Sequence, residues 1–514
     1  MTDSRLADAF ARLPDYLGSH VLVSLTALAL GLGVSLPLAI VTRRRPAMRA
    51  ALLSVAGVVQ TIPGLALLAL FYPLLLTISA LTERIFGKGF AALGFLPSVL
   101  ALALYSMLPV LRNTVTGLKG VDDGMRDAAR ALALTPRQAL WLVELPLAMP
   151  VIMAGIRTSA VWVIGTATLS TPIGQTSLGN YIFAGLQTQN WVFVLFGCVA
   201  AAALALIVDQ LLALMERGVA AHNRATTAGG GVGLALVVLA ALLPGLGRAQ
   251  ATYVIGAKPF TEQYVLAALI EQRLGANGLS AKGRDGLGSA VIFQALVAGD
   301  IDAYVDYSGT IWTNRMGRTD TPPRATVLAE VGRWLDATGH VRMLGPLGFE
   351  NAYALAMRRA LADKLGIRTI ADLAAHAGEF SIAGDYEFFE RPEWTALRKA
   401  YGLQFRRQRT MQSDFMYRAA ADGEIDVVAA YSSDGRIAQY DLVVLDDPKH
   451  ALPPYDAIVL LAPKRANDER LIAALKPLIG AIPVALMREA NLRAAQEAPG
   501  AVAQWLWQRL GKRE

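Results

Sequence analysis

Up to about residue 250 the chain is organised as long apolar runs separated by short charged segments, and after Thr252 no such run occurs. The runs at 20–41 (HVLVSLTALALGLGVSLPLAIV), 94–111, 148–170, 191–214 and 231–247 are long enough as helices to cross roughly 30 Å of hydrocarbon at about 1.5 Å per residue. A longer stretch, 50–81, contains the breaker TIPG at 61–64 and is read as one span with an irregular middle. The pattern thus predicts six spans. Lys and Arg accumulate in cytoplasmic loops, so the block Arg43-Arg44-Arg45 places the end of the first span inside. By alternation the 112–147 loop is inside, and residues after the last span are extracytoplasmic.

From 252 to 514 the pattern changes to short apolar runs alternating with amphipathic helical segments: TYVIGA, then EQYVLAALIEQRLGANG, then SAVIFQALVAGD before IDAYVDY. This alternation predicts an α/β domain of βαβ type. Within it GDIDAYVDYSGT, at 299–310, returns as GEIDVVAAYSSDG from Gly423, which aligns Asp302 with Asp426 and Tyr307 with Tyr431. Each copy is a helix feeding a strand that ends on tyrosine, and ligands of open α/β sheets bind beyond the carboxyl ends of strands. Two such units predict two lobes facing each other across a cleft. Capping of two cores is the alternative reading of the tyrosines.

Composition agrees with a chain partly in a bilayer: 54% of residues are hydrophobic, 17% are charged, and the mean hydropathy is +0.41. The net charge of +7 is spread along the chain without a basic, aromatic-interleaved stripe, so no nucleic-acid partner is expected. The single cysteine, Cys198, lies in an apolar run and supplies neither a disulfide nor a thiolate metal site. The five histidines, His20, His222, His340, His376 and His450, are scattered, and no metal or cofactor is expected. No G-x-x-x-x-G-K-[ST] phosphate loop and no catalytic constellation is readable. GRDGLGSA, at 283–290, has the wrong glycine spacing for a dinucleotide site and reads as a turn offering backbone amides at a helix start. The apolar segment 231–251 resembles a signal-peptide core, but five spans precede it, so it is read as an uncleaved tether.

Specific strings carry a family resemblance. DAARALALTPRQALWLVELPLAMPVIMAGIRTSAVWVIGTATLSTPIGQTSLGN, at 127–180, resembles the coupling loop and following spans of ABC importer permeases of the glycine betaine/carnitine/choline group. IGAKPFTEQYVLAALI, DYSGT, GFENAYALAM, EFFERPEW, YSSDGRIAQYDLVVLDDPKH and PPYDAIVL resemble the binding proteins of the same group. The resemblance implies a polytopic α-helical permease domain (1–225), a transmembrane tether (226–251) and a two-lobed, type II periplasmic-binding-protein-like domain (252–514). Its lobes are expected at about 252–348 with 452–514, and at 349–451.

The resemblance further implies a subunit of an ATP-driven importer that is not itself an enzyme. It would sit in the inner membrane with its binding domain on the periplasmic side, work as a homodimer, and pair with a separate cytoplasmic ABC ATPase. The ATPase would be met by Asp127, Ala128, Ala129, Ala133 and Pro146, with Thr135 capping a short helix and Pro136 opening it. Ala133 stands where the family has a glycine, a departure at its tight turn. For the ligand, a quaternary ammonium compound, the resemblance implies an aromatic cage of Tyr307, Tyr353, Tyr431 and Tyr455. Arg391 would take a carboxylate, with Lys258 and Thr310 beside it and Gln263, Ser289 and Asn351 in lesser roles. GFEN replaces the more usual GFNN, so Glu350 either answers a ligand with extra N–H donors, such as ergothioneine, or faces solvent. A membrane-tethered sensor is the rival reading; the coupling loop favours import.

Overall fold

The computed structural model describes residues 2–43, 45–86, 90, 94–187, 190–246, 253–385 and 387–511. The chain divides into two compact units, one of residues 6–183 with 192–249, the other chiefly of residues 250–514 with the short pieces 1–5 and 184–191.

In the membrane unit six helices are long and apolar enough to cross a bilayer: Arg5–Thr42, Gly64–Phe86, Phe95–Lys119, Pro136–Ile173, Trp191–Ala220 and Arg224–Leu243. The interrupted span expected at 50–81 is instead two helices, Pro46–Thr61 and Gly64–Phe86. Pro63 has no N–H to give and drives Ile62 to extended backbone (φ −73°, ψ 128°), which ends the first helix. The second alone has crossing length. Outward-facing Val55, Val58, Leu70, Leu195, Val199, Leu206 and Leu236 are exposed, as lipid-facing positions are. Helices Phe95–Lys119 and Leu145–Ala167 approach closely through glycine: a Cβ on Gly155 would lie 2.9 Å from the Pro109 carbonyl oxygen, and one on Gly117 would lie 3.0 Å from that of Ala148. Ser159 Oγ adds a bond of 2.7 Å to the Ser106 carbonyl. The junction between the last helix and the second unit, 247–252, lies outside the described residues, and with it the tether's end.

The second unit holds two five-stranded sheets. The first has the order β2-β1-β3-β10-β4, with β1 Tyr253–Gly256, β2 Ala281–Arg284, β3 Ala303–Tyr307, β4 Arg342–Glu350 and β10 Asp456–Leu461. The second has the order β7-β6-β8-β5-β9, with β5 Tyr353–Arg358, β6 Ser381–Gly384, β7 Arg407–Thr410, β8 Val427–Tyr431 and β9 Leu442–Val444. In each sheet three adjacent strands are parallel, the fourth is an antiparallel return, β10 beside β3 and β5 beside β8, and the fifth, β4 or β9, runs antiparallel to that return. Helices cover the strands, so β3 and β10 are buried along their whole length and β8 up to its last residue. The chain passes between sheets at 351–352 and again between β9 and β10, which makes two lobes of a binding-protein fold.

The sequence repeat is the same unit built once in each lobe. Helix Ser289–Val297 turns at Gly299 (φ 77°) into β3, and helix Ser413–Ala421 turns at Gly423 (φ 82°) into β8. The paired aspartates do structural work. Asp302 accepts the Val254 N–H at 2.7 Å and Asp426 accepts the Ser381 N–H at 2.8 Å, each fastening the neighbouring parallel strand.

Candidate functional site

The tyrosines follow from the strand positions. Tyr307 and Tyr431 end β3 and β8; Tyr455 and Tyr353 stand at the start of the antiparallel returns β10 and β5, at equivalent places in the two lobes. Tyr353 and Tyr431 are direct cross-strand partners with ring centroids 5.0 Å apart, and Tyr455 meets Tyr353 edge-on at 6.1 Å. All four line one cleft of about 210 Å³, together with Lys258, Ser289, Thr310, Asn351 and Arg391. Gln263 and Glu350 do not line it. Gln263 is buried behind the cleft and donates to the Tyr307 hydroxyl at 3.1 Å, while the Glu350 side chain is exposed.

Carboxylates stand behind the rings. The Tyr307 hydroxyl donates to Glu262 at 2.5 Å, Tyr431 to Asp385, and Tyr455 to Glu393. Burial and the facing carboxylates raise the pKa of these three phenols well above the ordinary value, so each stays neutral and donating. Glu262 is itself buried, and its oxygens accept from Tyr307, from Asn351 Nδ2 (3.0 Å), Ser433 Oγ (2.6 Å) and Asn491 Nδ2 (2.7 Å). Burial raises its pKa, and these four bonds work against the rise. Lys258 is buried against Asp306, with its ammonium 5.4 Å from the Tyr307 ring centre.

Arg391 holds Glu387 at 2.6 Å through Nη2 and lies 5.3 Å from the Tyr353 ring centre, while its buried Nε and Nη1 have no hydrogen bond, Nη1 lying 3.6 Å from the Glu393 carboxylate. Nε and Nη1 lie on different edges of the guanidinium, so each offers a ligand carboxylate a single charge-assisted bond. Gly309 of DYSGT has a packing reason: a Cβ there would collide with the Tyr455 ring. Sequence reasoning missed Glu262, Asp385, Glu393, Ser433 and Asn491. Only Glu262 carries a sequence signal, as an acid on the helix face otherwise formed by Val265, Leu266 and Leu269.

In the membrane unit the 112–147 segment folds as helix Asp123–Ala131, capped by Asp122, which accepts the Gly124 N–H at 2.8 Å. The turn that follows is made without glycine. Ala133 takes φ 55°, its N–H reaches the Arg130 carbonyl (2.9 Å), and the Leu134 N–H reaches that of Ala129 (3.1 Å). That is a Schellman closure with alanine in the left-handed position. Thr135 and Gln138 form a capping box with Pro136 at the first helical position. The short helix that Pro136 opens does not end as a separate element: Pro136–Ala139 passes through a π turn, Leu140–Glu144, directly into Leu145–Ala167. Pro146 follows the π turn inside this continuous helix, where it has no N–H to give to the preceding turn. Asp127 pairs with Arg130 at 2.8 Å on the exposed surface, Ala128 is exposed, and Ala129 is buried.

Residues 30–221 match the family described as binding-protein-dependent transport system inner membrane component, and residues 251–508 match the substrate binding domain of ABC-type glycine betaine transport system. The chain belongs to the betaine-type ABC importer family. It is a fused permease and binding subunit of that family. It is 29% identical over 90% of its length to the ergothioneine transport permease/ergothioneine binding protein of Helicobacter pylori, covering 84% of that protein. Its membrane unit is 41% identical to the glycine betaine/carnitine/choline transport system permease protein of Bacillus subtilis, over 39% of this chain and 86% of that one. Its binding unit is 30% identical to the carnitine transport binding protein of Listeria monocytogenes, over 51% of this chain and 88% of that one.

Proposed function

We infer that the cleft of this importer subunit captures a zwitterionic betaine, with the trimethylammonium group among Tyr353, Tyr431 and Tyr455 and the carboxylate on Arg391. A tetraalkylated cation has no N–H to donate and is held by ring faces at roughly 0.5–2 kcal/mol each. The observation that carries the reading is the convergence of four tyrosines on a cleft whose buried arginine keeps two N–H groups, on Nε and Nη1, without a hydrogen bond. Choline, with no carboxylate, would leave those donors empty and bring its charge beside Arg391 and Lys258. An anion alone would face Glu262, Asp385 and Asp434.

The second reading is ergothioneine, itself a betaine with a ring that offers an N–H. It is favoured by the fused Helicobacter relative, and its acceptor would be an acid in the cleft wall, such as Asp434, rather than Glu350.

In this reading the permease occupies 1–225, the tether 226–251 and the binding domain 252–514 on the extracytoplasmic side of the inner membrane. Two copies present their coupling segments to a separate ATPase. The unbroken path from Pro136 into the membrane helix supports a lever: movement of the docked segment is carried to the span without an intervening loop.

Proteoliposomes test this. The full chain reconstituted with its ATPase should accumulate labelled betaine with ATP, and neither component alone should do so. Replacing Asp127 and Ala128 together by Lys and Trp should abolish uptake while leaving cleft binding intact. ATP-driven uptake by the chain alone would refute the assignment of hydrolysis to a partner.

A further inference from the structure

A second cavity, of about 380 Å³, opens in the membrane unit where helix Phe95–Lys119 meets helix Asp123–Ala131. Its wall carries the cations Arg43, Arg49, Lys119, Arg126 and Arg130 and one acid, Glu144. Neutralisation within the protein is incomplete: among the described residues only Arg43 has a partner sheltered from water, Glu144, with side chains 15% and 14% exposed. Arg43 lies 3.8 Å from Glu144, and the partners of Arg126 and Arg130 are Asp123 and Asp127, whose side chains are 89% and 68% exposed and screened by water. Arg49 and Lys119 face no carboxylate among the described residues; Arg49 reaches only the Arg43 carbonyl, at 3.2 Å. Cations gathered round a hollow repel one another unless an anion fills it.

The anion's chemistry follows from the donors. Guanidinium groups match phosphate oxygens in fixed forks, and an ammonium beside them adds a point charge. The level of the cavity follows from its neighbours: Trp141, next to the wall residues Ala139 and Val143, is 66% exposed, as an aromatic ring at a headgroup boundary is. We propose that this cavity binds a phosphate group, carried by an anionic phospholipid headgroup or by a soluble phosphate compound. Once filled, it ties the 43–49 segment to helix Asp123–Ala131, so the occupant stiffens the coupling segment.

The test uses the full chain in phosphatidylcholine nanodiscs, with and without added phosphatidylglycerol, and in phosphatidylcholine nanodiscs with inorganic phosphate. The proposal expects a rise in melting temperature of about 3–6 °C with one of these probes, absent in Arg49→Gln/Lys119→Gln and kept in Arg49→Lys/Lys119→Arg. Native mass spectrometry of the wild-type chain after detergent extraction separates the sources. Retained phosphatidylglycerol assigns the site to lipid, and a shift with inorganic phosphate alone assigns it to a soluble compound. No shift with either probe and no retained lipid overturns the proposal, as does an equal shift in Arg49→Gln/Lys119→Gln.

Discussion

Replacing Tyr431 separates a ring that holds a ligand from one that only completes a core. Tyr431 is half-buried at the end of β8, pairs with Tyr353 across the strands at 5.0 Å, and donates to Asp385. Unlike Tyr307 and Tyr353, it has no protein cation over its ring among the described residues. Tyr431→Ala should remove one ring face of about 1–2 kcal/mol from ligand binding, a rise in Kd of about five- to thirtyfold. It should also remove about 0.5–1.5 kcal/mol of aromatic pairing from the unliganded domain. Tyr431→Phe keeps the ring and strips Asp385 of one donor. Asp385 still accepts two backbone N–H groups, from Glu387 (2.9 Å) and Phe388 (2.8 Å), so the cost should be about 1–2 kcal/mol in melting, with affinity within about threefold. Calorimetry and thermal melting on residues 252–514 read the two effects apart. The same melting loss with unchanged affinity in Tyr431→Ala would refute the cage.

The other ring of the repeat should behave differently: Tyr307 is buried, stacks on Phe260 with centroids 6.2 Å apart and carries Lys258 on its ring, so Tyr307→Ala should lower melting more than affinity. Gly309→Ala should push the buried Tyr455 ring from its place, weakening binding by about tenfold, close to the loss of one ring face, and lowering the melting of the unliganded domain by the cost of overpacking, about 1–3 kcal/mol. Because burial raises the folded pKa of Glu262 above its ordinary value of 4.5, its contribution is fully present below that value and is lost as pH rises through the folded pKa. The wild-type domain should therefore lose melting temperature over that rise relative to Glu262→Gln; parallel curves for the two proteins would contradict this. Ala133→Gly should relieve a left-handed alanine costing about 1 kcal/mol and slow amide exchange across 124–134, whereas Ala133→Val should hasten it.

Much of the architecture was readable because periodicity reports burial. The apolar runs gave the membrane helices, the TIPG break marked the irregularity at Ile62 although the two helices it separates were read as one span, and the repeated helix-turn-strand gave one strand-end tyrosine per lobe. The start of the short helix at Pro136 was readable from its Thr-Pro capping signal. Its merging with the next span was not, since an i to i+5 turn at Leu140–Glu144 leaves no composition of its own. The carboxylates behind the rings were hidden for another reason. Asp385 and Glu393 reach their tyrosines across the fold, from the loop after β6 and the helix Pro392–Tyr401, and single acids near turns and helix starts are ordinary. Glu350 shows the converse: a departure beside the hinge whose side chain the fold turns to solvent. At Ala133 the turn survives the loss of its glycine because backbone bonds on both sides hold the left-handed residue in place.

The most direct measurement is calorimetric titration of residues 252–514 with glycine betaine, carnitine, proline betaine, ergothioneine and choline, repeated with Arg391→Gln. The account predicts one-to-one binding of at least one carboxylate-bearing betaine, choline weaker than that ligand, and a loss in Arg391→Gln that falls on the betaine and spares choline. Silence toward all five compounds, or choline bound more tightly than every zwitterion, would contradict it.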